Sequence, residues 1–253
     1  RSSDLWLEWN ARFRDWWRAF LNQDEWKLNS QEADADGGFV ITGSKRYYDW
    51  NGRKPYTSVN FITAHDGFTL YDLFSFNQKQ NGCGVLNPVC CSDPASAWCE
   101  TTSGDSHNRS RDWGMNNEPM KRQMMRNAFA AMMISHGSPM ILGGDEWMRT
   151  QYGNNNAYGT MADNAWNWFR WGEWQAPSNT ARYRMHDFVR DIIHFRLDHT
   201  YALSPGEWGG GMPFAWKHPD NHDGVNWSGK ALMQHYYDDG TQDWGPELAI
   251  LIN

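Results

Sequence analysis

The sequence predicts an α/β fold, with parallel strands alternating with amphipathic helices and a short antiparallel β segment at the end. Three observations carry that expectation. Residues 57–70, TSVNFITAHDGFTL, hold a β-branched and aromatic run, Val59, Phe61 and Ile62, with Pro55 before it and Gly67 after it, which reads as one buried strand. Residues 117–136 are the most clearly patterned helix, and a short apolar stretch, Met140 to Leu142, follows it. Strand, helix and strand make a βαβ unit, whose crossover is right-handed and whose strands are parallel. From about Tyr201 the texture changes to short aromatic runs broken by Gly and Pro, such as MPFAWKHPD and ELAILIN, the pattern of antiparallel strands.

The chain of 253 residues, 40% of them apolar, allows one or two domains with a sizeable core. Residues 5–9 read as a short strand. Residues 11–22 read as a helix, because Phe13, Trp16, Trp17 and Phe20 recur at three- and four-residue spacing, with Arg12, Arg14 and Arg18 expected on the solvated face. Glu8 falls at a strand end, where a structural hydrogen-bonding role is favoured over a catalytic one. Residues 31–38, QEADADGG, form an acidic turn-rich loop that lacks the twelve-residue calcium pattern. An Asn51-Gly52 turn then leads into the central strand.

His65 and Asp66 end that strand, on the rim where a parallel sheet or barrel collects ligands and catalytic groups. From the dipeptide alone, a helix-capping Asp66 and a structural His65 are equally open. A helix over 68–76 and a long irregular stretch to Asn117 follow. The four cysteines, Cys83, Cys90, Cys91 and Cys99, all lie in that stretch; disulfides fit them better than zinc, because two are adjacent and no C-x-x-C pair is present. Disulfides would imply an oxidising, secreted or periplasmic setting, with a cytoplasmic one as the alternative.

In the 117–136 helix, Asn116 or Asn117 is placed to cap, Pro119 sits in the first turn and Gly137 at the C-terminal stop. Its row of Met120, Met124, Ala128, Met132 and His136 reads as core packing, His136 included. The next strand ends in Gly143, Gly144, Asp145 and Glu146, so Asp66 and the Asp145-Glu146 pair end adjacent strands on one rim. Two carboxylate positions flanking a cleft are what glycoside hydrolysis requires. Residues 183–199 are expected to be a helix packed through Phe188, Ile192 and Phe195, with no H-E-x-x-H metal spacing. His218, Asp220, His222 and Asp223 in KHPDNHDG read as a polar hairpin turn in preference to a metal site, so no metal and no cofactor are expected in this chain.

The formal charge of −7 argues against a nucleic-acid or anionic-membrane partner, both of which need a concentrated basic surface. There is no apolar run of membrane-spanning length. Seventeen Trp, ten Tyr and twelve Phe suit stacking on sugar rings, although many must be core.

Three blocks carry a resemblance. SVNFITAHDGFTLYDLFSFNQKQN, GSPMILGGDEWMRTQYGNNNAY and LWLEWNARFRDWWRAF are similar to the seventh-strand, eighth-strand and sixth-strand segments of the α-amylase clan of glycoside hydrolases, in its isoamylase and bacterial glycogen-debranching branch. They occur in the family's order. The resemblance implies the last three units of a (β/α)8 barrel over residues 1–200 and the start of a C-terminal β-sandwich over 201–253. It implies a retaining hydrolase of α-1,6 branch linkages in glycogen or starch, with Asp66 as the carboxylate that stabilises the transition state and His65 as its sugar-bonding neighbour. Asp145, Glu146, Arg149, Asn154, Asn155 and Asn156 would shape the substrate cleft. In that clan the nucleophilic Asp and the acid/base Glu follow the fourth and fifth strands, upstream of this segment. The chain alone is therefore expected to be inactive and to need the missing N-terminal part of its parent, in which calcium is possible. An α-1,4-acting member of the clan and a noncatalytic glucan-binding protein are the alternatives.

Overall fold

The computed structural model describes residues 6–29, 37–81, 104–114, 117–157 and 167–253. The acidic loop through Asp36 and the four cysteines lie outside them. In order, the elements are β1 (Glu8–Trp9), α1 (Ala11–Asn22), α2 (Gly37–Ile41), α3 (Lys45–Tyr48), β2 (Ser58–Asn60), α4 (Leu70–Leu73), α5 (Glu118–Ile134), β3 (Ser138–Pro139), α6 (Trp171–Trp174), α7 (Thr180–Asp198), α8 (Thr200–Leu203), β4 (Phe214–Lys217), β5 (Leu232–Tyr236) and β6 (Leu248–Ile252). Two compact units interleave along the chain: Arg1–Phe61, Ala130–Met140 and Ile192–Asn253 form the first, and Ile62–Phe129 with Ile141–Asp191 the second. Among the described residues, no helix is long and apolar enough to cross a membrane.

The first unit holds two sheets. β1, β2 and β3 pair side by side in parallel, with Trp9 opposite Val59 and Asn60 opposite Pro139. The strand expected at Met140 to Leu142 thus lies two residues earlier, because pairing follows the backbone register set by Asn60, whose carbonyl accepts from Met140 N at 2.8 Å. α1 starts where Asn10 Oδ1 accepts from Phe13 N at 2.9 Å, and it buries Phe13, Trp16, Trp17 and Ala19. Burying a side chain the size of Phe contributes roughly 1.5–3 kcal/mol. Arg18, expected on the solvated face, is instead only 6% exposed. Glu8 pairs with Arg53 Nη1 at 2.5 Å, the structural role foreseen for it.

A polar rivet fixes the end of α5. Asn10 Nδ2 donates to Ser44 and Ser58, and Ser58 Oγ to Asn60 Oδ1, while Asn60 Nδ2 donates to His136 O at 2.7 Å. Arg196 of α7, 6% exposed, donates to Met133 O at 2.6 Å, Ser135 O at 2.8 Å and Gly137 O at 2.7 Å. Helix C-termini leave carbonyls without intrahelical partners and carry partial negative charge, so one guanidinium answers both needs. Gly137 is required here: its φ is +123°, and a Cβ would lie 2.6 Å from Asn60 Nδ2. Burial first and Arg196 second push the His136 imidazole down to about 4, and its Nε2 meets Tyr236 Oη at 2.8 Å.

The antiparallel sheet appears as expected, with β5 between β4 and β6. Its buried face, with Tyr236, packs on Ala202, Leu203 and Met212. On α5, Met124, Ala128 and Met132 are buried as the helical row requires, as is His136 just beyond the helix, but Met120 is 38% exposed. On α7 the deeply buried positions are Met185, Val189 and Arg196, whereas Phe188, Ile192 and Phe195 are half-buried.

Candidate active site

β2 contains only Ser58–Asn60, yet Phe61 to Ala64 stay buried as the chain leaves the sheet. Exposure begins abruptly at His65 and Asp66, whose side chains are 66% and 63% exposed, with Nε2 and Oδ1 3.4 Å apart. Asp66 does not cap the following helix. Thr69 does, accepting from Asp72 N at 3.3 Å, and that helix is the single turn α4 rather than the longer one expected over 68–76.

The turn behind the pair is held by amides. Gly67, at φ +89°, donates its N–H to Asn155 O at 3.1 Å. Asn155 is 2% exposed; its Nδ2 donates to Asp105 O at 2.7 Å and to Asn108 Oδ1 at 3.0 Å, and its Oδ1 accepts from Asn81 Nδ2 at 2.9 Å. Asn81 Oδ1 in turn accepts from Asn155 N at 3.0 Å. Asn154 Oδ1 accepts from Asn156 N at 2.9 Å. Of the three asparagines, 154 and 155 are buried and 156 is partly exposed, so the run builds the loop more than it presents side chains.

Two carboxylates pin the same region from inside. Asp145 is 1% exposed; its Oδ2 accepts from Thr63 Oγ1 at 2.5 Å and its Oδ1 from Leu70 N at 3.0 Å. It therefore ties the loop after β3 to the stretch on either side of the His65-Asp66 pair. Burial, opposed by these bonds and by the Arg149 charge, pushes its carboxyl up to about 7. Asp72, fully buried, accepts from Thr150 Oγ1 at 2.5 Å and Gln151 N at 2.7 Å, and burial raises its carboxyl too. Glu146 folds back on its own turn, accepting from Gly144 N at 2.9 Å. Arg149 packs over Gly144, whose added Cβ would come within 2.8 Å of Arg149 Cδ.

Met148 and Tyr152 take left-handed backbone at φ +57° and +55°, which non-glycine residues rarely adopt without support. At Met148 support comes from Arg182 of α7, which donates to Trp147 O and, at 2.5 Å, to Met148 O, while Trp147 stacks on His186 with centroids 4.5 Å apart; at Tyr152 the backbone N donates to Thr150 Oγ1 at 2.9 Å. Sequence reasoning missed Thr63, Asp72, Asn81, Asn108, Thr150 and Arg182. Only one had a local signal: Thr69 to Asp72 has the T-x-x-D spacing of a capping box.

The arrangement is an exposed imidazole and carboxylate side by side, on a turn whose supporting acids and amides are engaged. The exposed carboxylate can accept hydroxyls and stabilise positive charge; Asp145, with both oxygens occupied, is a brace and not an acid/base.

The fold is of the α/β amylase type. It matches pullulanase type I from Bacillus subtilis str. 168 complexed with maltose, with TM-score 0.57 and 18% identity over 97% of this chain and 28% of that one. Pullulanase from Bacillus acidopullulyticus gives TM-score 0.56 and 17% identity over 97% and 24%. No family model matches the sequence. The chain is a relative of the isoamylases and the glycogen operon proteins. It is 40% identical over 176 residues to the glycogen operon protein GlgX homolog of Mycobacterium tuberculosis (strain ATCC 25618 / H37Rv), covering 66% of this chain and 21% of the relative. With isoamylase 3, chloroplastic, of Oryza sativa subsp. japonica it shares 39% over 196 residues, 76% of this chain and 22% of the relative. With the isoamylase of Flavobacterium sp it shares 37% over 207 residues, 80% and 23%. The chain spans about a fifth of the length of the curated relatives it matches.

Proposed function

We propose that this chain is part of a hydrolase of α-1,6 branch linkages in glycogen or starch, and that Asp66 is its transition-state-stabilising carboxylate. The observation that carries the reading is the exposed His65-Asp66 pair directly beyond a parallel strand, on a turn braced by Asn155 and Asp145. β1, β2 and β3, parallel and in chain order, would be consecutive strands of a (β/α)8 barrel whose other strands come from the rest of the parent.

Asp66, hydrogen-bonded to ring hydroxyls, would stabilise positive charge developing at the anomeric carbon and favour a distorted ring, and His65 would hold a neighbouring hydroxyl. The nucleophile and the acid/base would come from the ends of earlier strands, giving retention through a covalent glycosyl intermediate. Glu146, Arg149 and Asn156 border the cleft in this reading, while Asp145, Asn154 and Asn155 shape it from behind. The cysteine cluster extends the proposal to an oxidising compartment, which thiol titration of the unreduced protein tests.

The test is hydrolysis of a branched α-glucan by the full-length protein. Asp66→Asn is expected to lower kcat by roughly 10²–10³-fold, the loss typical of removing one preorganised electrostatic contact, and this chain alone to give no turnover. An Asp66→Asn enzyme within a few-fold of the parent, or turnover by this chain alone, overturns the reading. Binding of maltooligosaccharides with no hydrolysis by the full-length protein would make it a glucan binder instead.

A further inference from the structure

The β4 strand ends in a turn, His218-Pro219-Asp220-Asn221-His222, in which three metal-ligating groups converge. His218 Nδ1 lies 2.9 Å from Asp220 Oδ1, and His222 Nδ1 closes on the same oxygen. One donor atom from each of the three side chains lies within 4.8 Å of the others. The two imidazoles stack with centroids 4.4 Å apart and planes inclined by 21°, which keeps both rings on the same side of the turn. His218 Nδ1 is shielded from water and faces Asp220 Oδ1 at 2.9 Å.

The backbone holds this geometry in advance. Lys217 bridges Asp223, His218 N donates to His222 O at 3.0 Å, Asn221 N to His218 O at 2.8 Å, and Asn221 sits at φ +70°. His222 N also donates to Asp220 Oδ1 at 3.3 Å.

We propose that this hairpin is a binding site for a divalent late transition ion, Zn²⁺ or Cu²⁺, through His218, Asp220 and His222. Two imidazoles and one carboxylate match the ligand preference of those ions over calcium or magnesium, which favour all-oxygen shells. Tetrahedral zinc at bond lengths of about 2.0–2.1 Å sets ligand atoms about 3.3 Å apart, so both imidazole nitrogens must move back from Asp220 Oδ1, His222 further than His218, to admit an ion. Each imidazole coordinates through Nδ1 in its neutral form, with its proton on Nε2. Asp220 and His222 are exposed, leaving the fourth position to water. The sequence pattern by itself reads as a polar turn; the convergence of the side chains is what changes the reading.

The test is calorimetric titration of the chelator-treated full-length protein with Zn²⁺, together with its melting temperature. The expected result is one ion bound, a rise in melting temperature by linkage, and affinity falling at least roughly 10–100-fold in His222→Ala and in Asp220→Asn. His107→Ala, at an exposed histidine elsewhere, is expected to leave binding unchanged. With Cu²⁺, the electron paramagnetic resonance spectrum is expected to show two coordinating imidazole nitrogens in the parent and one in His222→Ala. No bound ion, or binding and spectra unaltered by both hairpin substitutions, overturns the proposal.

Discussion

Arg196→Met tests whether the end of α5 is held by one buried guanidinium. Methionine keeps the unbranched stem, so the perturbation is the loss of three hydrogen bonds, at 2.6, 2.8 and 2.7 Å, to Met133 O, Ser135 O and Gly137 O. A buried acceptor left without a partner costs about 1–3 kcal/mol. Three of them would reach about 3–9 kcal/mol, and relief of the desolvation of the buried cation returns several kcal/mol. The net expectation is about 3 kcal/mol of destabilisation, a fall of roughly 6–12 °C in Tm for a chain of this size. Arg196→Lys keeps the charge but not the planar fork, and should fall between parent and Arg196→Met. The assay is thermal and urea unfolding of the three proteins, with His136 followed by NMR. Arg196 helps to hold that imidazole low at about 4, so its pKa should rise when the charge is removed. A Tm within a degree of the parent, or a lysine variant less stable than the methionine variant, would refute the reasoning.

Gly137→Ala should cost about 2 kcal/mol or more, since φ is +123° and the new Cβ would meet Ser58 O at 2.9 Å as well as Asn60; urea unfolding measures it, and an unchanged midpoint would contradict the close packing. Asp145 imposes a pH dependence whose sign follows from its raised carboxyl, about 7 against an ordinary value near 4. The fold favours the protonated form, so this group's contribution is fully present below pH 4 and is lost as pH rises to 7. The change is on the order of 4 kcal/mol, with Arg149 reducing it and Glu146 adding to it. Asp145→Asn should flatten that part of the stability profile; a slope equal to the parent's between pH 4 and 7 would refute the assignment.

Periodic and capped elements were legible in the sequence. α1 begins and ends where its aromatic spacing places it, α5 lies within the expected 117–136 span, and the parallel order of β2 and β3 follows from the βαβ rule. What was not legible is what depends on partners distant in the chain. Asp72 looks like an ordinary acid beside Tyr71, but Thr150 and Gln151, 78 and 79 residues away, draw it into the interior. Arg18 sits on the polar side of its helix by spacing and is buried all the same. At β3, apolarity points to Met140 to Leu142, while the ladder falls on Ser138–Pro139 because β2 sets the register. At the candidate site, strand-end position and resemblance brought out His65, Asp66 and the 145–156 loop. The roles within that loop were not readable, since whether an Asn or Asp faces water or braces a turn depends on Thr63, Asn81 and Asn108, which carry no local mark.

Around Asn155, the brace behind His65 and Asp66 is made of hydrogen bonds between neutral amides and backbone groups. Mobile ions weaken interactions between full charges and leave amide-to-amide bonds untouched. Exposed pairs such as Lys54 with Glu207 should therefore fade between dilute buffer and molar salt, while the posture of the His65-Asp66 turn stays constant. Ionic strength thus becomes a variable that loosens the outside of this protein without retuning the place where a neutral sugar would sit.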